Sequence, residues 1–173
     1  MNKQDNIILI GMSGAGKSTL GVLLAKAAGL DFIDTDILIQ QAEKRMLQDI
    51  VDEEGVDRFL SLEERIVSAV RVENTVIATG GSVVYSDKAM QALKQLGRVV
   101  YLYVEYENLV QRITNINTRG IVYRKGNTLR EVYDERMPLY AQYADYTINC
   151  SRLNMEDCVR AIIEELGLTV YFD

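Results

Sequence analysis

The chain has 173 residues, carries 19 Lys and Arg against 25 Asp and Glu for a net charge of −6, and contains no histidine. The lack of histidine excludes Ser-His-Asp and Cys-His catalytic arrangements and histidine metal sites, and a pI near 4.8 argues against a nucleic-acid backbone or an anionic membrane as the main partner. Catalysis by this chain must therefore use carboxylates, Lys, Arg, hydroxyls, backbone amides and a bound hard cation.

The length predicts one domain over residues 1–173, because a chain of this size can bury enough apolar surface for a single core. The longest apolar run, residues 99–104, is too short for a membrane helix. Cys150 and Cys158 are too few for a disulfide framework. We expect both to be core residues of a cytoplasmic monomer.

Five strand-like runs alternate with segments long enough for helices. Residues 7–10, 32–33, 75–79, 99–104 and 146–149 form these runs. Strands separated in this way build βαβ units, so the pattern predicts an α/β fold with a parallel sheet.

Several helices have recognisable ends. Ser86 is placed to cap a helix that Gly97 ends, and Asn154 opens a last helix that Gly167 closes. Apolar positions at helical spacing over residues 56–70 predict a further helix.

Two stretches break the alternation of strands and helices. Residues 35–60 are expected to hold short inserted helices. Residues 114–127 follow neither period and are long for a loop in a compact domain, so they are a candidate lid.

The strongest motif follows the first strand and reads Gly-Met-Ser-Gly-Ala-Gly-Lys-Ser-Thr. It fits the phosphate-binding loop G-x-x-x-x-G-K-[ST] in the strand and helix context that this motif requires. Backbone N–H groups and the helix N-terminus bind phosphate oxygens, Lys17 reaches the β- and γ-phosphates, and the Ser18 hydroxyl ligates Mg²⁺. The predicted cofactors are ATP and Mg²⁺, and the predicted loop contacts are Gly11, Ser13, Gly14, Ala15, Gly16, Lys17, Ser18 and Thr19.

Two aspartates follow the short second strand. Asp34 and Asp36 are spaced i, i+2, which places both side chains on one face of a strand. Beside a magnesium nucleotide, one carboxylate can hold the metal through water while the other orients or deprotonates an acceptor hydroxyl. The alternative is that Asp36 is the N-cap of the next helix.

Further candidates lie later in the chain. Gly80 and Gly81 follow the third strand, at the edge where open α/β sheets bind ligands, although a tight turn explains a glycine pair equally well. Arg119 in the candidate lid and Arg136 are candidate anion clamps. A lone arginine is more often a solvated surface residue.

Two sequence patterns resemble motifs of other nucleotide-binding proteins. Residues 52–55, Asp-Glu-Glu-Gly, match a GTPase D-x-x-G but follow helical residues and not a strand. We interpret them as an acidic helix end stopped by glycine. Glu105 follows an apolar strand as a metal-binding ATPase residue would, yet it more simply starts the next helix.

Taken together, these residues resemble the shikimate kinase family of phosphate-loop kinases over nearly the whole chain. The resemblance rests on the loop at residues 11–19, Phe-Ile-Asp-Thr-Asp at 32–36, Ala-Thr-Gly-Gly at 78–81, Arg119, and Arg-Met-Pro-Leu-Tyr at 136–140. It implies a three-layer fold with a five-stranded nucleotide-binding core, an acceptor-binding region near residues 35–60 and a lid near residues 114–127.

The resemblance also implies residue roles. Lys17, Asp36 and Arg119 would be catalytic, and Ser18 and Asp34 would hold Mg²⁺. Arg112 would lie against the adenine. The remaining positions are Arg152 on the nucleotide and Asp36, Gly80, Gly81, Ser82 and Arg136 on the acceptor, with Arg136 binding its carboxylate.

Departures from the family pattern fall on the acceptor side. The helix near residue 59 has Leu60 where shikimate kinases have an arginine that grips the acceptor carboxylate. Arg58 cannot simply replace it, because two helix positions differ by about 200° around the axis. Ser82 stands in place of the third glycine of the family's triplet, and Gly120 in place of the proline after the lid arginine.

The function that these features favour is ATP-dependent phosphoryl transfer to a hydroxyl of a small polyhydroxylated acid, with shikimate as the first candidate. Two alternatives remain open at this point. One is the same chemistry on a different small hydroxyl acceptor, and the other is a non-catalytic module that senses the nucleotide.

Overall fold

The computed structural model describes residues 6–114, 122 and 126–171. These residues form five β-strands and eight α-helices. The strands are β1 (Asn6–Ile10), β2 (Asp31–Asp34), β3 (Thr75–Ala78), β4 (Gly97–Tyr103) and β5 (Tyr146–Asn149). The helices are α1 (Lys17–Ala28), α2 (Thr35–Glu43), α3 (Leu47–Glu54), α4 (Val56–Ser68), α5 (Asp87–Leu96), α6 (Tyr106–Thr114), α7 (Leu129–Tyr143) and α8 (Met155–Leu166), with a 3₁₀ turn at Val83–Tyr85.

All strands pair in parallel, in the order β2-β3-β1-β4-β5. β1 lies at the centre, and all five of its residues are buried. A strand covered on both faces reads as a continuous apolar run, which is why residues 7–10 show no polar alternation. The predicted α/β fold with a five-stranded parallel sheet is confirmed.

The helices pack in groups around the sheet. α1 contacts β1, β2, β3 and α8, while α5 contacts β4 and α4, and α7 contacts β4 and the 3₁₀ turn. The predicted three-layer arrangement is confirmed. Within the described ranges, no helix is long and apolar enough to cross a membrane.

Helix ends lie where the capping signals predicted them. The Ser86 side chain accepts a hydrogen bond from the backbone N–H of Ala89, 3.0 Å away, and Gly97 ends α5. The Asn154 side chain caps α8, and Gly167 closes that helix with a left-handed φ of 61°. These local bonds satisfy backbone groups that a helix end leaves without intrahelical partners.

The insertion between β2 and β3 has its own small core. Ile39, Ile50, Phe59 and Leu62 pack together as a buried cluster on α2, α3 and α4. The acidic residues before Gly55 end α3, as expected, and Gly55 adopts a left-handed φ of 86°. Most of the candidate lid, including Arg119 and Gly120, lies outside the described residues.

Candidate nucleotide and acceptor site

The carboxyl ends of the central strands bring distant motifs together. β1 pairs with β3 so that Leu9 lies opposite Ala78, and β2 pairs with β3 so that Asp34 lies opposite Ala78 on its other side. The phosphate-binding loop, the aspartates and the Gly80-Gly81 segment therefore leave the sheet at one edge, where open parallel sheets bind ligands.

The glycines of the phosphate-binding loop are required by its backbone path. Gly11 has a φ of 143°, and a Cβ there would lie 2.7 Å from the carbonyl oxygen of Leu102. Gly16 is the left-handed N-cap of α1, so the amino end of this helix opens directly onto the loop. Oriented N–H groups and the helix dipole make this end suitable for phosphate.

Lys17 is the first residue of α1 and is buried. Its Nζ donates to the carbonyl oxygens of Gly11 and Met12, at 2.6 and 2.8 Å. The ammonium group is thus held over the loop, at the position from which a lysine reaches β- and γ-phosphate oxygens.

Ser18 and Asp34 meet at the start of α1. The Ser18 Oγ donates to Asp34 Oδ2 at 2.6 Å, and Asp34 Oδ1 accepts from the backbone N–H of Asp36 at 2.9 Å. This places a hydroxyl and a carboxylate, two hard oxygen ligands, side by side next to the phosphate-binding loop. Such a pair suits Mg²⁺, which uses one or two protein oxygens together with phosphates and water.

The local structure of the aspartates differs from the sequence prediction. β2 ends at Asp34, which is itself the N-cap of α2, and Asp36 lies in the first turn of that helix. The alternative that Asp36 is the N-cap was therefore wrong, and strand alternation does not relate the two side chains. Asp34 takes the cap because its carboxylate satisfies the N–H of Asp36.

Arg112 lies beside the phosphate-binding loop, and Arg152 lies in the segment after β5. Arg112 on α6 donates to the carbonyl oxygens of Ala15, at 3.3 Å, and Cys150, at 2.6 Å. It therefore joins this loop to the segment after β5, which carries the exposed side chain of Arg152. Cys150 and Cys158 are buried free thiols, as predicted.

Gly81 lies between the phosphate-binding loop and the Arg136 side chain. A Cβ on Gly81 would lie 2.9 Å from Ser13 Oγ and 3.1 Å from Arg136 Nη1. The Tyr140 hydroxyl donates to the Gly81 carbonyl oxygen at 2.5 Å and fixes this segment from α7. Close packing therefore requires a glycine at this position, whereas a turn without such neighbours would accept other residues.

Arg136 projects from α7 and is 1% exposed, which contradicts the alternative of a solvated surface residue. Its Nε donates to the Tyr85 hydroxyl at 3.2 Å, and its Nη2 donates to the Val122 carbonyl oxygen. Its Nη1 has no hydrogen-bond partner among the residues that the structure describes. A buried guanidinium N–H without a partner is costly, and an anionic ligand would satisfy it.

Glu63 is a candidate site residue that the sequence motifs did not indicate. It lies on α4, is 2% exposed, and accepts a hydrogen bond from Ser82 Oγ through Oε2 at 2.7 Å. Burial raises the pKa of Glu63 to about 7, the nearby Asp36 carboxylate adds to the rise, and the Ser82 hydrogen bond, Arg136 and Lys17 oppose it. The available signal was a carboxyl on the apolar face of α4, four residues after Phe59 and four before Val67.

The surroundings of Leu60 agree with the expected absence of an arginine at this position. Leu60 is half-buried and lines a cavity of about 220 Å³ with Tyr85, Val122 and Glu135. Arg58 points away and pairs with Glu54 at 3.1 Å on the surface. Arg58 therefore does not supply the missing guanidinium.

A cleft of about 380 Å³ opens between these groups. Its walls include Lys17, Ser18, Asp34, Asp36 and Gly81, and residues of α2 and α3 also line it. The cleft thus places the phosphate-binding loop, Asp36 and Gly81 around one continuous space, as in-line transfer between two bound substrates requires.

Comparison with known proteins decides the family. A family model described as shikimate kinase matches residues 13–167. The chain belongs to the shikimate kinase family. The match covers the sheet, the insertion between β2 and β3 and α7 together, and the family consists of ATP-dependent kinases that act on a hydroxyl group.

Individual relatives agree with this assignment. The shikimate kinase of Thiobacillus denitrificans is 35% identical over 172 residues, covering 97% of this chain and 93% of the relative. The shikimate kinase of Acinetobacter baumannii, solved in complex with shikimate, superposes with a TM-score of 0.85 at 31% identity and covers 95% of this chain and 93% of its own. A shikimate kinase from Bacteroides thetaiotaomicron superposes with a TM-score of 0.81 at 29% identity, covering 95% and 99%.

Proposed function

We propose that this protein transfers the γ-phosphoryl group of ATP to a hydroxyl of shikimate, giving shikimate 3-phosphate. The observation that carries the proposal is the cleft that the phosphate-binding loop, Asp36 and Gly81 line together, with the buried Arg136 directly behind Gly81. A family relative with the same fold has been solved with shikimate bound.

On the nucleotide side, we assign the loop amides and Lys17 to the phosphates, and Arg112 and Arg152 to contacts with the rest of the nucleotide. Ser18 and Asp34 would hold Mg²⁺, because their oxygens lie 2.6 Å apart beside the loop. The ion would neutralise charge on the phosphates during transfer. Arg119 stays our proposed lid arginine.

On the acceptor side, Arg136 pairs with the acceptor carboxylate through Nη1, and Gly80, Gly81 and Ser82 form the wall against which the ring lies. Asp36 orients the reacting hydroxyl and takes its proton as the hydroxyl oxygen bonds to the γ-phosphorus and the bond to the leaving ADP breaks. Arg136 and Asp36 suffice as charged groups on this side because phosphoryl transfer depends mainly on positioning and charge neutralisation.

The direct test is ATP turnover with shikimate, quinate, gluconate and small amino alcohols as acceptors. Shikimate is expected to raise turnover well above the basal rate of ATP hydrolysis. A response to a different acceptor alone would remove the substrate assignment. No response to any hydroxyl acceptor would favour a nucleotide-sensing module instead.

Asp36→Asn is expected to lower kcat for shikimate by about a hundred-fold, the typical contribution of a positioned general base. The asparagine keeps the size of the side chain but cannot accept the proton. Steady-state kinetics at saturating ATP measures the change, and Asp31→Asn, at an exposed position on β2, is the control. A kcat within a factor of about three of the wild-type value would remove Asp36 from the proton-transfer step, because loss of a positioned base costs far more.

Leu60→Arg is expected to lower the KM for shikimate by roughly ten- to a hundred-fold, because a charge-assisted bond to a carboxylate contributes about 1.5 to 3 kcal/mol. The new side chain would enter the cavity beside Tyr85 and reach toward Arg136. Arg58→Ala serves as the matched control on α4, since Arg58 faces Glu54. An unchanged KM in Leu60→Arg would show that the acceptor carboxylate does not lie near this cavity.

We also propose that the protein is a cytoplasmic monomer. Its two buried free thiols fit a reducing compartment. Sedimentation of the purified protein with and without ADP checks the oligomeric state.

A further inference from the structure

Ser13 lies at the tip of a tight turn in the phosphate-binding loop. The N–H of Ala15 donates to the carbonyl oxygen of Met12 at 3.1 Å, and Gly14 has a left-handed φ of 87°, which glycine adopts without strain. A Cβ on Gly14 would lie 2.8 Å from Ile113 Cγ1, so α6 packs closely against the turn. The turn therefore presents the Ser13 side chain in a defined place.

The Ser13 hydroxyl lies where the phosphate-binding loop meets the segment after β3. A Cβ on Gly81 would lie 2.9 Å from Ser13 Oγ and 3.1 Å from Ser13 N. Ser13 is half-buried and lines the cleft itself, as do Lys17, Asp36 and Gly81. No hydrogen bond joins this hydroxyl to another residue in the described part of the chain. A serine in a turn commonly bonds to nearby main chain, so a hydroxyl that lines the cleft without such a bond is suited to a ligand.

The groups assigned above to the phosphates lie at the other end of the loop. Lys17 is in the first turn of α1, where Ser18 donates to Asp34. During phosphoryl transfer, negative charge is spread over three equatorial oxygens of the transferred group. The groups at the start of α1 meet these oxygens from the nucleotide side. A donor at the contact with Gly81 meets them from the acceptor side.

We propose that Ser13 is a catalytic residue whose hydroxyl donates a hydrogen bond to an oxygen of the phosphoryl group as that group passes from ATP to the acceptor. Ser13 keeps its own proton: the acceptor oxygen bonds to the γ-phosphorus, the bond to the leaving ADP breaks, and Asp36 takes the proton of the acceptor hydroxyl. Because the group moves toward the acceptor side, this bond is better aligned in the transition state than in bound ATP, as catalysis requires. The inference rests on the proposed function for the acceptor.

The test separates binding of ADP from binding of a phosphoryl group. Ser13→Ala removes the hydroxyl and leaves the main chain of the turn. Calorimetry in the presence of Mg²⁺ measures the affinity for ADP alone and for ADP with aluminium fluoride, which mimics the phosphoryl group in transit. Steady-state kinetics with ATP and shikimate measures kcat and both KM values. Ser61→Ala, which removes an exposed hydroxyl on α4, is the control.

Ser13→Ala is expected to lower kcat by about ten- to a hundred-fold, the usual effect of losing one hydrogen bond to a charged group. The affinity for ADP with aluminium fluoride falls by a similar factor. The affinity for ADP alone keeps its wild-type value, because ADP lacks the transferred group. Ser61→Ala keeps the wild-type value of every quantity.

An unchanged affinity for ADP with aluminium fluoride would overturn the inference, and so would an unchanged kcat in a protein that phosphorylates shikimate. Equal losses of affinity for ADP with and without aluminium fluoride would overturn it as well, because a merely structural Ser13 changes both alike. If the loss is selective for the aluminium fluoride complex but the wild type transfers nothing to shikimate, the proposed function alone is overturned.

Discussion

Lys17→Met is expected to reduce kcat for phosphoryl transfer by about a thousand-fold, the upper range for removal of one preorganised group that stabilises transition-state charge. The methionine retains the buried aliphatic stem but lacks the ammonium group that lies over the phosphate-binding loop. The carbonyl oxygens of Gly11 and Met12 lose the bonds from Nζ at 2.6 and 2.8 Å, although Met12 keeps the bond from the N–H of Ala15. Single-turnover assays with ATP and shikimate measure the loss.

The matched control is Lys26→Met, because Lys26 lies on the same helix but is exposed in its last turn. It should leave kcat unchanged. Thermal unfolding of Lys17→Met must accompany the assay, since a buried carbonyl that loses its donor costs about 1 to 3 kcal/mol. A folded Lys17→Met protein with a tenth or more of the wild-type rate would contradict the role given to this lysine.

Glu63→Gln is expected to stabilise the protein at pH 8 by about 3 kcal/mol, because each pKa unit corresponds to 1.36 kcal/mol. Burial raises the pKa of Glu63 from 4.5 to about 7. Between these values the folded protein binds a proton that the unfolded chain has released, so stability falls as the pH rises from 4.5 to 7. The loss is complete above pH 7, and glutamine removes it because it does not ionise.

Urea unfolding at several pH values between 5 and 8 measures this effect. The wild type should lose stability across the window relative to Glu63→Gln, and the two proteins should converge toward pH 5. Glu64→Gln is the control, because it retains Glu63 and therefore the wild-type pH dependence. Parallel pH profiles for Glu63→Gln and the wild type would show that Glu63 ionises without cost in the folded protein.

The parts of the fold that were predictable depend on local patterns. The strand at residues 7–10, the caps at Ser86 and Asn154 and the helix end at Gly55 each have a short-range physical cause, and all are found in the structure. The phosphate-binding loop was predictable for the same reason, because its glycines, lysine and serine are contiguous.

The proposed acceptor side was less predictable because its contacts join residues far apart in the chain. Glu63 meets Ser82 across 19 positions, and Tyr140 reaches Gly81 across 59. The cap of α2 was assigned to Asp36 as an alternative, whereas Asp34 occupies it. Spacing alone could not decide between them, since the end of β2 depends on its pairing with β3.

The contact of Gly81 with Ser13 bears on how the substrate range of this chain can change. The segment after β3 and the phosphate-binding loop are separated here by the width of a glycine hydrogen, since a Cβ would lie 2.9 Å from Ser13 Oγ. Leu60 and Ser82 are not among the groups that such a Cβ would meet. Under the proposed function, substitutions at those two positions can therefore change acceptor choice without altering this contact.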